Sequence, residues 1–436
     1  MDTVTPMTDQ EATPQAAANE GRRLSTREAA ELLGVKPETV YAYVSRGQLG
    51  SRRGPGSRGS TFDAKEVESL ARRNRREPAA PSTSGELSVR TRITLIDKDR
   101  YYYRGVDATE LALAHSYEEV AEWLWTGVMR PGIRFTAPEE TAGAARRAVD
   151  ALPEHSGPTD RLRVAAISAA AADPLRFDLS EEAVIGTART LIPTLVTALP
   201  LANRTHRDDG PLAHRLWARL SGRQPDDASL HALDTALALL VDHDLAASTL
   251  AVRVAASARA HPYAAVSAGL GVLEGPLHGA ASGLAHRMLL DVLDRGSAAP
   301  VVADELRAGR RVPGLGHRLY PGDDPRAEAL FALLELIPGA GPALAAARDV
   351  VATTARHTDL HANVDLALAV LTASSGMPAE AGETIFAVAR TAGWIAHALE
   401  EYEERPLRMR PSGQYAGLRP PQPMPESGPG PAPDGG

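Results

Sequence analysis

Apolar residues recur at helical spacing through most of the text from about Ala137 to Ser257, with Pro-containing turns expected at Pro153, Pro174 and Pro193. Alanine is abundant and aromatic residues make up 4% of the chain, which suits closely packed helices and gives little support to sheets built on aromatic and β-branched pairs. The fold class is therefore expected to be mainly α, and 436 residues are enough for two or three domains. Cysteine is absent, which excludes disulfides, thiolate catalysis and Cys-based zinc or iron–sulfur sites from this chain. No apolar run approaches the roughly 18 residues of a membrane span. The polar, acidic first twenty residues lack the basic start and apolar core of a secretion signal, so a cytoplasmic protein is expected.

The net charge of -8 is unevenly spread: residues 22–76 carry 13 Lys and Arg against 6 Asp and Glu, a balance of +7. A basic module joined to an acidic body points to nucleic acid at one end and another task at the other. Residues 1–21 have no period that could bury a face and are expected to be disordered. Ser25 followed by Glu28 is a capping-box start, Ala29, Leu32 and Leu33 form an apolar face, and Gly34 ends the helix. Pro37 opens a second helix through Thr39, Val40, Tyr41, Tyr43 and Val44. A helix, short turn and helix of this kind places its second helix in a major groove. Lys36, Thr39, Tyr41 and Arg46 are the candidates there, with Arg52, Arg53 and Arg58 in a Gly-rich wing. Thr39-Val40-Tyr41 and Arg46-Gly47-Gln48-Leu49 resemble the winged helix-turn-helix of the MerR family and the excisionase-like modules, which implies binding to double-stranded DNA. A protein-binding module of the same shape is the alternative.

Glu77 to Glu86 has linker composition, so a boundary belongs there. Beyond it come a short alternating start around Ile93 and Leu95, a turn, and amphipathic helical text to Trp125. There is no repeat of fixed period and no Gly-rich phosphate loop of the P-loop or dinucleotide type, which disfavours nucleotide hydrolysis and hydride transfer.

Chemistry gathers in the second half, where VPGLGHRLYPGDDPRA joins flexible Gly314 and Gly316 to His317 and Arg326. Other motifs surround His243, His278, Asp365, Arg390 and Arg410. Three His, one Asp and three Arg suit a substrate with several carboxylates and a proton that is hard to remove. Arginines bind carboxylates bidentately, Asp365 can serve as base, and each His donor near a developing oxyanion contributes about 3 kcal/mol. These residues point to carbon–carbon bond formation through an enol. His357-Thr358-Asp359-Leu360-His361 has the look of a metal cluster, but residues two apart on a helix face different sides, and no metal is expected.

The order of these motifs resembles the citrate synthase family from about Ile93 to Leu418, beginning at IDKDRYYYRGVDATELA and passing through Asp160-Arg161-Leu162-Arg163. The resemblance implies that Asp365 removes a proton from acetyl-CoA while His278 hydrogen-bonds the thioester oxygen and His317 polarises the keto group of oxaloacetate. It implies that His243, Arg326 and Arg390 hold the oxaloacetate carboxylates and that Arg410 reaches into the partner's site in a homodimer. Arg310, Arg311 and Arg318 are the candidates for the CoA phosphates. The acyl-CoA, acetyl or propionyl, is a substrate, and no resident cofactor is implied.

The family's Gly-Gly-Ala-Asn-Glu is here Gly279-Ala280-Ala281-Ser282-Gly283, its Lys after His-Arg-x-Tyr is Pro321, and its Asp-Phe-Tyr is Asp365-Leu366-Ala367. These departures make an altered acyl-CoA preference or a reduced rate an open alternative. The expected division is a tail over 1–21, a helix-turn-helix domain over 22–76, a linker over 77–92, a large helical domain over 93–280 and 383–418, a small one over 281–382, and a Pro- and Gly-rich tail over 419–436. The leading expectation is a citrate or 2-methylcitrate synthase. The rival is a DNA-binding transcriptional regulator whose synthase-like body senses a metabolite.

Overall fold

The computed structural model describes residues 23–45, 49–53, 60–67, 70, 89–203, 210–275, 281–320, 322–411, 415–419, 422 and 424. The expected tail over 1–21 and all of the expected tail over 419–436 except residues 419, 422 and 424 lie outside them, as do His278, Arg46, Arg58 and the side chain of Arg53. The chain divides into two compact units, 1–90 and 91–436.

In the first unit, Ser25 caps the helix Thr26–Leu33 with the expected capping box: the Glu28 N–H donates to Ser25 Oγ and the Ser25 N–H donates to Glu28. Gly34 closes that helix at φ 67°, a left-handed value that favours glycine. The helix Pro37–Ser45 follows. Strand Ser60–Asp63 pairs antiparallel with both Arg23–Ser25 and Ser51–Arg53. These elements share a small core around Leu33, Val40, Phe62 and Val67. Lys36, Tyr41 and Arg52 are exposed and Thr39 is half-buried.

The second unit is helical apart from a three-stranded antiparallel sheet, Thr94–Asp97, Arg100–Tyr103 and Val106–Asp107. The sequence predicted one short strand and a turn here. The last strand folds back onto Arg100–Tyr103 because Arg104 and Gly105 both take positive φ, the backbone of a two-residue hairpin turn. Tyr101 and Tyr103 on the middle strand are buried, and both hydroxyls donate to the carbonyl of Leu239. They satisfy the open end of the helix Asp227–Leu239 and so fix where the loop after it begins.

Pro153 and Pro174 lie between helices as expected, but Pro193 does not. It sits inside the helix Glu181–Ala198. Its missing N–H leaves one carbonyl without its usual partner, and the helix continues because Leu191, Ile192, Leu195 and Val196 are all fully buried around it. The 23-residue helix Ala381–Glu403 runs through the same core, with Trp394 and Ile395 fully buried. Tyr117 and Trp125 donate to its carbonyls at Val388 and Ala392. Among the described residues no helix is long and apolar enough to cross a membrane.

Candidate active site

A cleft of about 980 Å³ in the second unit is lined by His243, His317, Arg326, Asp365 and Arg390. Residues from four separate stretches of the sequence thus share one space. Arg311 and Arg318 also line it. Arg310 does not: it is exposed and paired with Glu305 at 2.7 Å. Arg410 is likewise exposed and away from the cleft of its own chain, and Asp160 to Arg163 lie in the helix Pro158–Ala172 outside it.

Asp365 stands in the first turn of the helix Val364–Ser374, whose N-cap is Asn363. The Asn363 side chain accepts the Asp365 N–H at 3.0 Å and donates to the Gly316 carbonyl at 2.8 Å, so one residue ties the helix start to the His317 loop. Further bonds run from the Gly316 N–H to the His361 carbonyl and from the Asn363 N–H to the Gly314 carbonyl. Gly314 takes φ +78°, and a Cβ there would stand 2.8 Å from the Leu366 Cβ. Only glycine lets the loop press this closely on the helix.

Burial pushes the Asp365 carboxyl up to about 6 and outweighs the opposing pull of Arg326. Burial, then Arg326, push the His317 ring down to about 4. The Leu319 N–H donates to His317 Nδ1 at 3.1 Å, which places the ring proton on Nε2. His243 is held well below its ordinary value by burial, then by Arg326, Arg390 and His317. At neutral pH the cleft therefore holds an ionised carboxylate of raised basicity beside two neutral imidazoles.

Two arginines are set differently. Arg326 is buried and paired bidentately with Asp324, at 2.9 and 2.8 Å. Burial works against its charge, and Asp324 more than restores it. Arg390 is equally buried, donates Nε to the Leu240 carbonyl at 2.9 Å, and lies over the Phe386 ring. Sequence reasoning expected both to hold substrate carboxylates but missed the carboxylate already on Arg326. It also missed Tyr320, whose hydroxyl meets His243 Nε2 at 2.7 Å, and the capping role of Asn363. Asp324-Pro325 and Asn363-Val364 both carry helix-start signals that mark these positions. His361 Nδ1 pairs with Asp323 at 2.6 Å, and among the described residues no group of acidic and His side chains is placed to hold a metal.

The model of the citrate synthase C-terminal domain matches residues 82–412, and that of a helix-turn-helix domain matches residues 23–75. A citrate synthase of Haloferax volcanii is 33% identical over 359 residues, covering 76% of this chain and 94% of that one. A 2-methylcitrate synthase 2 of Corynebacterium glutamicum is 28% identical over 339 residues, covering 72% and 88%. Among solved structures, the citrate synthase of Pyrobaculum aerophilum superposes with a TM-score of 0.64 at 25% identity, over 78% of this chain and 92% of that one. With its match over three quarters of the chain and its helical body, the chain belongs to the citrate synthase family, acyltransferases that make citrate, and carries a helix-turn-helix domain ahead of that body.

Proposed function

We propose that this protein condenses acetyl-CoA or propionyl-CoA with oxaloacetate, giving citrate or 2-methylcitrate and CoA. The observation that carries this reading is the cleft shared by Asp365, with its raised carboxyl, and His317, with its proton on Nε2. Asp365 takes a proton from the carbon next to the thioester, and the electron pair left behind attacks the keto carbon of oxaloacetate. As that bond forms, the keto oxygen gains negative charge and takes the proton of His317 Nε2. A neutral imidazole suits this task because its proton is withheld until the oxygen becomes basic. Water then cleaves the thioester and frees CoA.

Arg390 and His243 grip the keto acid, and Arg326 contributes the part of its guanidinium that Asp324 leaves open. His278 steadies the enolate oxygen, and Arg410 completes the site of a partner subunit in a homodimer. Arg311 and Arg318 take the CoA phosphates, and closure of a small domain over 281–382 excludes water until condensation is done. The helix-turn-helix domain grips duplex DNA through Lys36, Thr39, Tyr41 and Arg52, a reading supported by the capped helix Thr26–Leu33, the helix Pro37–Ser45 after it and the paired strands Ser51–Arg53 and Ser60–Asp63.

The test is product identity. Whole protein incubated with oxaloacetate and each acyl-CoA is expected to yield a tricarboxylic acid whose mass names the acyl group used. Folded protein that binds duplex DNA, changes that binding with oxaloacetate, and forms no product from either acyl-CoA would favour the metabolite-sensing regulator.

A further inference from the structure

We propose that Asp242, His397 and Arg253 form a buried positioning device that holds the loop carrying His243 and keeps the keto-acid side of the cleft in register. It rests on the reading above, in which His243 and Arg390 grip oxaloacetate.

The chain of contacts starts one residue before His243. The Asp242 carboxylate is fully buried and accepts the Thr94 hydroxyl at 2.5 Å and His397 Nε2 at 3.2 Å. Arg253 donates to His397 Nδ1 at 2.6 Å, so the His397 proton sits on Nε2 and points its bond at Asp242. Arg253 is itself paired with Glu401 at 2.7 Å and Glu400 at 2.8 Å, and Arg408 also bonds Glu401. Arg253, His397 and Glu401 are all 1% exposed or less.

Burying this much charge does not favour the fold over an apolar filling of the same volume. What the network adds is direction. It fastens the side chain of Asp242 while other groups fasten the backbone around it. The Tyr103 hydroxyl contacts the Asp242 carbonyl at 3.1 Å, Arg390 donates to the Leu240 carbonyl, and Gly393 admits the Val241 carbonyl where a Cβ would stand 2.2 Å away. The next ring along the chain, His243, then meets Tyr320 and stands edge-on to His317, with ring centres 5.1 Å apart. Asp242 is also the first acidic group whose field supports the buried Arg390 cation, after the opposing effect of burial. The carboxylate that fixes the start of the His243 loop thus also lies within the field of Arg390.

The test measures oxaloacetate affinity by calorimetry on the whole protein, with KM for both substrates, in wild type, His243→Ala, His397→Leu, His397→Gln and Thr94→Val. Glutamine can accept from Arg253 and donate to Asp242, whereas leucine can do neither. His397→Leu is expected to weaken oxaloacetate binding about tenfold while changing KM for acyl-CoA less than about twofold. His397→Gln is expected to recover most of the affinity. His397→Leu combined with His243→Ala should lose little beyond His243→Ala alone, since both act through one ring. Thr94→Val removes one bond and leaves the charges paired. It decides the matter if His397→Leu does not fold, with an expected loss of about threefold. Oxaloacetate affinity unchanged in folded His397→Leu and Thr94→Val, while His243→Ala loses it, overturns the proposal. Affinity unchanged in His243→Ala, or absent in wild type, overturns the underlying reading of the cleft instead.

Discussion

As the proposed base, Asp365 comes at a cost to stability. A carboxyl whose value is raised to about 6 in the fold, against an ordinary value near 3.8, binds protons more tightly folded than unfolded. Stability is therefore lost as pH rises between those two values, and the loss persists at neutral pH. Asp365→Asn is expected to raise stability by about 3 kcal/mol at neutral pH, read as a larger gain in Tm over wild type at pH 7.5 than at pH 3.5. The same shift gives the rate the opposite slope: kcat/KM for acyl-CoA should rise with pH to a plateau above about 6, as the carboxylate ionises. The Asp324 and Arg326 pair is a second residue-scale prediction. Asp324→Ala strands a buried guanidinium and should cost about 3 to 5 kcal/mol in a denaturant titration. The motif text pointed to Asp365 and Arg326, but only the fold showed that Arg326 arrives with its charge already answered by Asp324.

At the scale of elements, the site is one loop fastened to one helix start. The Gly316, Asn363 and Gly314 bonds hold His317 and Asp365 as a single unit, and the approach of the loop to Leu366 depends on glycine. Gly314→Ala is expected to cost about 1 to 3 kcal/mol and to lower turnover more than it raises either KM, because it separates the proposed base, Asp365, from the proposed acid, His317, without touching a proposed binding group. Circular dichroism melts and steady-state kinetics on one preparation check both halves. Local signals made such elements legible in advance: the capping box at Ser25 and Glu28, Gly34 after the first helix, and the helical spacing of the body all reappear as drawn. Pro193 was misread because proline is a strong local signal and the burial that overrides it is not local. The strand Arg100–Tyr103 was missed because its tyrosines are stabilised by a helix end more than a hundred residues away, and Val106–Asp107 was missed with it because it pairs onto that strand.

At the scale of the molecule, the two units have separate cores and opposite charge balance. If the basic unit grips duplex DNA through phosphates, its affinity should fall steeply with salt, and Lys36→Ala should reduce the slope of log K against log salt by about 1. Fluorescence anisotropy with a mixed-sequence duplex reads this. The convergence of His243, His317, Arg326, Asp365 and Arg390 on one cleft was legible only through the resemblance to a known family, since spacing in sequence says nothing about which loops meet. The buried relay from Asp242 to Glu401 left no such signal, because each of its members reads alone as an ordinary charged residue on a helix or loop. The most direct test of the synthase account is CoA release from acetyl-CoA and from propionyl-CoA with oxaloacetate, comparing wild type with Asp365→Asn. The account predicts turnover with at least one acyl-CoA and a loss of roughly a hundredfold or more in the variant. Equal CoA release by both proteins would contradict it, as would no release by folded wild type with either substrate.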